Sequence, residues 1–322
     1  MMTTSQPSPT SEHFTLERLA DGVYAAIAAA GGGAVCNAGI VDLGDESLVF
    51  DTFQTPAAAD DLLAACRALT GRDPAYVVNS HWHGDHVHGN LVFGPHAEII
   101  ATSRTRELMA TLAAAEIAED RDGIEAFIAS QEARLGAETD DGKRHELELR
   151  LRANRTYAAC LPTLELRLPD RTFDGALSLG GRRRSAQLDS FGGGHTASDA
   201  WLYLPDDRIL FFGDLLFVNV HPYLPDGDPD EWIAHLQRIE AYDVARAVPG
   251  HGPLGTLANA PLVCDYIAMC QRIVSDARAA GKALDETLQT PVPAAFAHWE
   301  YDAFFGANLR FLYQRQQPQA AG

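Results

Sequence analysis

His81-Trp82-His83-Gly84-Asp85-His86 decides how this chain is read. Three imidazoles and one carboxylate fall within six residues, directly after the apolar stretch Ala75–Val78, which reads as a short buried strand. Imidazole and carboxylate together form the ligand set of zinc and similar divalent ions. His81 and His83 alternate, so in extended chain they face the same way. Asp85 and His86 are adjacent and cannot share that direction. The run is therefore suited to two neighbouring metals rather than one.

Working outward, Val23–Ala28, Gly39–Val41 and Ser47–Phe50 read as strands, with Leu43-Gly44-Asp45 as a turn. Ala57–Leu69 has helical spacing through Leu62, Leu63, Cys66 and Leu69. Tyr76–Val78 and Glu98–Ala101 return to strand. From Ser103 to about Asn154 the texture changes to Ala, Glu, Leu and Arg, with apolar residues at helical spacing, and predicts two or three helices. Short strands are expected again at Leu164–Leu168, Ser185–Ser190, Ala200–Leu204, Ile209–Phe212 and Ala245–Val248. Pro229–Ile239 and Leu262–Ala280 read as helices. Helix follows strand in two similar halves, which fits an α/β fold of two mixed β-sheets packed face to face with helices outside. Residues 1–12, polar and carrying Pro7 and Pro9, read as a disordered tail. Residues 13–322 read as a single domain with a helical insertion at about 103–154 and C-terminal helices at about 258–316.

The 322 residues carry a net charge of −19 and are 46% apolar, enough for a full core. That charge argues against nucleic acid and against an anionic membrane as partners. No basic start followed by an apolar stretch opens the chain, so no secretory signal is read, and no segment approaches a membrane span. Five scattered cysteines, none in a C-x-x-C pair, suit a reduced, cytoplasmic protein.

Further candidate ligands lie in three other segments. His195 follows Gly192-Gly193-Gly194 at a strand end, where a loop commonly places a ligand. Asp214 sits in the apolar Phe211-Phe212-Gly213-Asp214-Leu215-Leu216, and a buried carboxylate needs a compensating cation. His251 lies between Gly250 and Gly252, in a turn that permits close backbone approach. Taken singly, His195 or His251 would read as ordinary loop histidines and Asp214 as a helix cap.

In order and spacing, these segments with Asp51 at the end of Leu48-Val49-Phe50 resemble the metallo-β-lactamase-fold hydrolase superfamily, over about Glu17 to Pro253. The resemblance implies an αββα sandwich. It implies one metal at His81, His83 and His195, a second at Asp85, His86 and His251, and Asp214 bridging the two. Two Zn2+ per chain are implied, with Fe or Mn as alternatives. Asp51 is expected to orient a ligand histidine, and His88 to lie on a helix surface or behind the ligands.

The expected chemistry is attack of a metal-bridging hydroxide on an ester, thioester or lactone carbonyl. Asp85 and Asp214 are the expected catalytic carboxylates, and Tyr223 an expected hydrogen-bond donor to substrate. Two alternatives accompany this reading: β-lactam hydrolysis, and a mononuclear iron dioxygenase acting on a persulfide through His81, His195 and Asp214. His83 stands where the family's diiron flavoproteins place a glutamate, which disfavours that branch. Ser198-Asp199 stands where glyoxalase-type thioesterases usually carry Gly-His. The stretch through Pro222-Tyr223 to Asp228-Pro229 resembles the bacterial branch described as metallo-hydrolases or cyclase-like. The partner expected is a small molecule. The insertion is expected either to lid the pocket or to serve as a homodimer arm.

Overall fold

Two sheets meet along one apolar seam in the computed structural model, which describes residues 9–316. The first sheet opens with β1 (Phe14–Ala20), β2 (Val23–Ala28), β3 (Ala38–Asp42) and β4 (Ser47–Phe50). Next come α1 (Pro56–Thr70), β5 (Tyr76–Val78), α2 (Gly84–Val87), α3 (Asn90–Phe93) and β6 (Glu98–Thr102). α4 (Ser103–Leu108) runs through a π-helical turn at Met109–Ala113 into α5 (Ala114–Ala137), then α6 (Asp141–Cys160) and β7 (Arg171–Phe173). The second sheet comprises β8 (Ala176–Gly180), β9 (Ser185–Gly192), β10 (Asp199–Leu204), β11 (Ile209–Phe211) and, after α7 (Pro229–Ile239), β12 (Arg246–Val248). α8 (Ala260–Ala279), α9 (Leu284–Thr287) and α10 (Ala303–Arg315) close the described chain.

Strands β1 to β7 lie side by side in chain order, antiparallel as far as β4 and parallel from β4 to β7. The second sheet runs β12-β11-β10-β9-β8, antiparallel except for the parallel β11–β12 pair. Both sheets are mixed, as the sequence predicts. Their facing sides share Leu48, Phe50, Val78, Leu188, Leu202 and Phe211. Full burial of each such side chain contributes about 1.5–3 kcal/mol. The approach is close: a Cβ on Gly39 of β3 would lie 2.5 Å from the Phe211 ring.

Helices cover the outer faces. α1 starts where Thr55 accepts the Ala58 N–H and Pro56 fixes the first turn, and it stops at Gly71 with φ 74°. Its Leu62, Leu63 and Cys66 pack on the first sheet. Residues of α7, α8 and α10 pack on the second through Trp232, Tyr266 and Leu309.

Three expectations are corrected. Leu164–Leu168 is not a strand. Its alternating leucines bind the insertion to the body instead: Leu164 packs with Ile117 and Tyr157, and Leu168 with Trp82 and Leu108, so side-chain burial replaces sheet pairing. β1, β7 and β8 are strands that the apolar pattern did not announce, because each has exposed positions at a sheet edge or near one. The tail expected over residues 1–12 is ordered at its end, where Ser11 Oγ donates to Asp61 at 2.6 Å; residues 1–8 lie outside the described residues.

The stretch from Ser103 is helical, as α4, α5 and α6, and α5 and α6 form a hairpin. α5 buries only Ile117 and Ile128, and α6 only Leu151 and Tyr157, so the hairpin has little core of its own. It is tied down by Arg152, which donates to the carbonyls of Ala30 and Gly31 at 2.8 Å each.

Candidate metal centre

The C-terminal ends of two parallel strand pairs open toward the same space. β4 and β5 end side by side, with Phe50 opposite Val78, and lead to Asp51 and to the His81–His86 run. β11 and β12 end side by side, with Phe211 opposite Val248, and lead to Asp214 and His251. His195 arrives on the turn between β9 and β10. Each sheet therefore supplies part of one cluster from its strand ends, where α/β folds commonly bind ligands.

The side chains form two groups that share one carboxylate. In the first, His81 Nε2 and His195 Nε2 lie 3.1 and 2.9 Å from His83 Nδ1. Asp214 Oδ2 lies 3.3 Å from His195 Nε2 and 4.0 Å from His81 Nε2. In the second, Asp214 Oδ1 is 3.1 Å from His86 Nε2, and His251 Nε2 is 3.2 Å from Asp214 Oδ2. Asp85 Oδ2 is 3.3 Å from His251 Nε2 and 3.6 Å from His86 Nε2. The candidate ligand atoms of His81, His83, His195 and Asp214 all lie within 4.8 Å of one another, and so do those of His86, Asp214 and His251.

Protein contacts alone do not satisfy this cluster. His86 Nε2 and Asp214 Oδ1 are buried and, although 3.1 Å apart, neither makes a hydrogen bond. Burial holds His81 well below the ordinary imidazole range and His195 down to about 3, so both present neutral nitrogens. Burial works against Asp85 and Asp214 ionising, yet His86 and His251 hold both carboxyls below their usual range. Against their burial, Asp214 and Asp85 in turn raise His86 and His251, His251 to about 10, so protons lie between carboxylate and imidazole where a divalent cation could replace them.

The far nitrogens are anchored. Asp51 is fully buried and takes the left-handed φ of 60°. Its Oδ1 accepts the Ser80 N–H at 2.8 Å, and its Oδ2 lies 2.8 Å from both Ser80 Oγ and His86 Nδ1. That contact aims His86 Nε2 into the cluster, the orienting part expected of Asp51. His81 Nδ1 lies 2.9 Å from Ser80 Oγ, and His195 Nδ1 lies 3.0 Å from the Tyr223 carbonyl. Gly250 leaves room for Asp214, since a Cβ there would sit 1.8 Å from Asp214 Oδ1.

All seven predicted ligands thus meet at one place. Tyr223 also reaches it: its ring lines the cavity above the cluster, 6.5 Å from the His83 ring and 5.3 Å from Phe304. His88 is not on a surface. It is buried, stacks on Tyr157 of α6 at 5.7 Å, and is pushed down to about 4 by burial. Four residues near the cluster were not singled out from the sequence. Asp226 Oδ2 lies 3.0 Å from His83 Nε2, and Glu116 and Asp120 of α5 line the cavity. Cys36 donates to the Asp85 carbonyl. Only the Glu116–Asp120 pair carried a local signal, two carboxylates four apart on one helix face.

The cavity holds about 350 Å3. A second cavity of about 450 Å3 shares Val35, Val220, His251 and Tyr301 with it and reaches along α6 to Arg150. The Arg150 guanidinium lies 4.2 Å from the Tyr301 ring centre and pairs with Glu146. Inward-facing residues of the insertion thus wall both cavities, while Phe127 and Leu112 stay exposed.

Residues 31–251 match the metallo-beta-lactamase superfamily family model, more than half of the chain and every residue of the cluster. The chain belongs to the metallo-β-lactamase superfamily. Members of that superfamily are mostly metal-dependent hydrolases. Solved structures agree on the fold. A metallo-beta-lactamase from Pontibacter korlensis superposes with a TM-score of 0.58 at 19% identity, over 79% of this chain and 99% of that one. The DIM-1 metallo-beta-lactamase gives 0.56 at 16% identity, over 80% and 98%. TMB-1 gives 0.55 at 18% identity, over 80% and 97%. No curated protein matches the chain in sequence. No helix among the described residues is long and apolar enough to cross a membrane.

Proposed function

We propose that this chain is a dinuclear, zinc-type hydrolase of a small ester, thioester or lactone substrate. The observation that carries the proposal is the split of Asp214. Its Oδ1 faces His86, while its Oδ2 faces His195 and His251, so one carboxylate serves both groups. A mononuclear dioxygenase would leave the His86–His251 group without a task, which favours hydrolysis.

Bound divalent ions would supply an acidified water and polarise the substrate carbonyl. Around that chemistry the chain's own groups divide the work. His81, His83 and His195 would hold one ion, and Asp85, His86 and His251 the other. Asp85, with 17% of its side chain exposed, is placed to accept a hydrogen bond from the attacking water. Tyr223 is placed at the cavity wall to donate to a substrate oxygen.

Charge narrows the substrate. Asp120 and Asp226 line the cavity over the cluster beside Glu116, whose carboxyl burial pushes up to about 7, and no Lys or Arg is among its lining residues. Bound divalent ions would attract an anionic group at the floor of the cavity, but the part of a substrate that meets this wall is better neutral or cationic, because like charges repel in a partly desolvated site.

Metal analysis of protein purified without added metal, followed by thioester, lactone, phosphodiester and β-lactam substrates, tests the proposal. Two zincs per chain with turnover of an ester-type carbonyl are expected. Asp214→Ala should lose at least one metal and nearly all turnover. One iron per chain with oxygen uptake on a persulfide would replace this reading with the dioxygenase, and full activity in Asp214→Ala would end the bridging assignment.

A further inference from the structure

We infer that the C-terminal helix α10 positions two imidazoles of the metal centre, His83 and His195, through the loop Pro222–Asp228, with Asp226 as the residue that fixes His83. The inference rests on the metal-binding reading above. Its anchor lies beyond the segment that matches the superfamily, since α10 begins at Ala303 and that segment ends at 251, while Asp226 and its loop lie within it.

The geometry starts at His83. Its Nδ1 faces His81 Nε2 and His195 Nε2, so Nδ1 must carry the lone pair for a metal and Nε2 the proton. Asp226 Oδ2 lies 3.0 Å from Nε2 and accepts that proton's hydrogen bond. His195 is set the opposite way round. Its Nδ1 donates to the Tyr223 carbonyl at 3.0 Å, which leaves Nε2 free to bind. One loop therefore selects the tautomer of both rings, a role such outer contacts commonly play.

No β-ladder holds that loop. α10 does so. Asn308 is fully buried; its Oδ1 accepts the Leu224 N–H at 2.9 Å, and its Nδ2 donates to the Pro222 carbonyl at 2.7 Å. Arg315 pairs with Asp228 at 2.5 Å, and Phe304 packs on Tyr223. On its other side the loop presses on the chain that carries His195. The Asp228 N–H donates to the Gly194 carbonyl at 3.0 Å, and a Cβ on Gly227 would lie 2.0 Å from that same oxygen. A shift of α10 would thus be passed to both rings. His81 and His86 are anchored differently, through Ser80 and Asp51 at the end of the first sheet.

That contrast supplies the test, made on the full-length chain loaded with zinc or cobalt. Metal affinities are measured by chelator competition, at a temperature where circular dichroism shows each variant folded. Asp226→Ala should weaken one of two sites about ten- to hundredfold, the usual cost of removing such a contact, and leave the other within about twofold. Asp226→Asn, which can still accept the hydrogen bond, should restore part of the loss. Arg315→Ala, on the partly exposed flank of α10, should shift the same site in the same direction and alter its cobalt absorption bands. Asn308→Ala should do so more strongly; if it fails to fold, Arg315→Ala decides. Wild-type affinities and spectra in Asp226→Ala and Arg315→Ala, with only a lowered Tm, would overturn the inference while leaving the metal reading intact. A wild-type chain that binds no divalent ion would overturn both.

Discussion

Replacing Asp51 with Asn keeps the shape of a buried side chain and changes its hydrogen-bond chemistry at one edge. Asp51 accepts from Ser80 N–H through Oδ1, and through Oδ2 it meets Ser80 Oγ and His86 Nδ1, each at 2.8 Å. An Asn whose oxygen stays on the Ser80 N–H puts its NH2 against His86. His86 Nδ1 must then accept, its proton moves to Nε2, and Nε2 faces Asp214 Oδ1 at 3.1 Å as a donor rather than a ligand. The flipped Asn instead sets NH2 against the Ser80 N–H, donor to donor, at a cost of about 1–3 kcal/mol. Neither orientation preserves the native pattern. The backbone is not an added burden, because Asn tolerates the left-handed φ of 60° that Asp51 adopts. The expected result is a ten- to hundredfold weaker second metal, about 1.4–2.8 kcal/mol, with the His81–His83–His195 site much less affected. Competition against a chromophoric chelator, with metal counted per chain before and after dialysis, measures this. Two metals bound at unchanged affinity in Asp51→Asn would refute the tautomer argument and, with it, the assignment of His86 Nε2 as a ligand.

Gly250→Ala would place a Cβ 1.8 Å from Asp214 Oδ1, so the carboxylate must move; at least about a tenfold loss of metal affinity is expected by the same chelator competition, and wild-type affinity would show that Asp214 does not need its observed position. His88 and His221 are buried imidazoles pushed down to about 4, against an ordinary value of 6.5. Between those values the unfolded chain binds more protons than the folded one, so stability falls as pH drops from 6.5 toward 4, by up to about 1.4 kcal/mol per pH unit for each group. Urea unfolding of metal-stripped protein across that window reads the slope, which should become shallower in His221→Gln; an unchanged slope would contradict the assignment. Glu116→Lys puts a positive charge where burial holds a carboxyl up to about 7: KM should fall for a carboxylate-bearing ester and rise for an ammonium-bearing one, each severalfold (about 1 kcal/mol), with kcat changed less. Equal effects on both substrates would remove the charge argument.

The candidate cluster was legible because its spacing is local. His81, His83, Asp85 and His86 sit in one run, and His195, Asp214 and His251 each follow a strand beside glycine. Such residues are uncommon at apolar strand ends without a cation, so each segment carries its own signal. The helices with one apolar face, α1 and α7, were legible for a similar reason. Contacts that span long stretches of sequence were not. Asp226 lies 143 residues from His83, and Asn308 lies 84 residues from Leu224, and neither has a local pattern that marks its partner. The alternating leucines at 164–168 misled because alternation records burial on one side, which a strand and an extended tether provide equally well.

The shared cluster makes the packing between the sheets part of the chemistry. Asp51 and the His81–His86 run belong to the first sheet, and Asp214, His195 and His251 to the second. No single strand or helix fixes their separation. The two halves meet at the seam where Phe211 rests on Gly39 and its ring centre lies 5.9 Å from that of Phe50, and at the cluster itself, where the Ala200 N–H donates to the Ser80 carbonyl at 2.8 Å and the Asn37 N–H to the Gly250 carbonyl at 2.7 Å. Phe211 is three residues before Asp214, so a change in how it packs is passed along a short stretch of chain to the Asp214 carboxylate. A cavity at that seam costs stability in every protein of this kind, about 3–5 kcal/mol for Phe→Ala. Here it would also let Asp214 drift relative to His86. The orphaned Nε2 and Oδ1 now face each other at 3.1 Å, and a drift of even half an ångström would be felt at a centre whose ligand distances tolerate only about 0.2 Å. On the metal-binding reading, the demand for a tight core and the demand for a fixed ligand geometry therefore meet in the same few residues, with Gly39 on one side of the seam and Phe211 on the other.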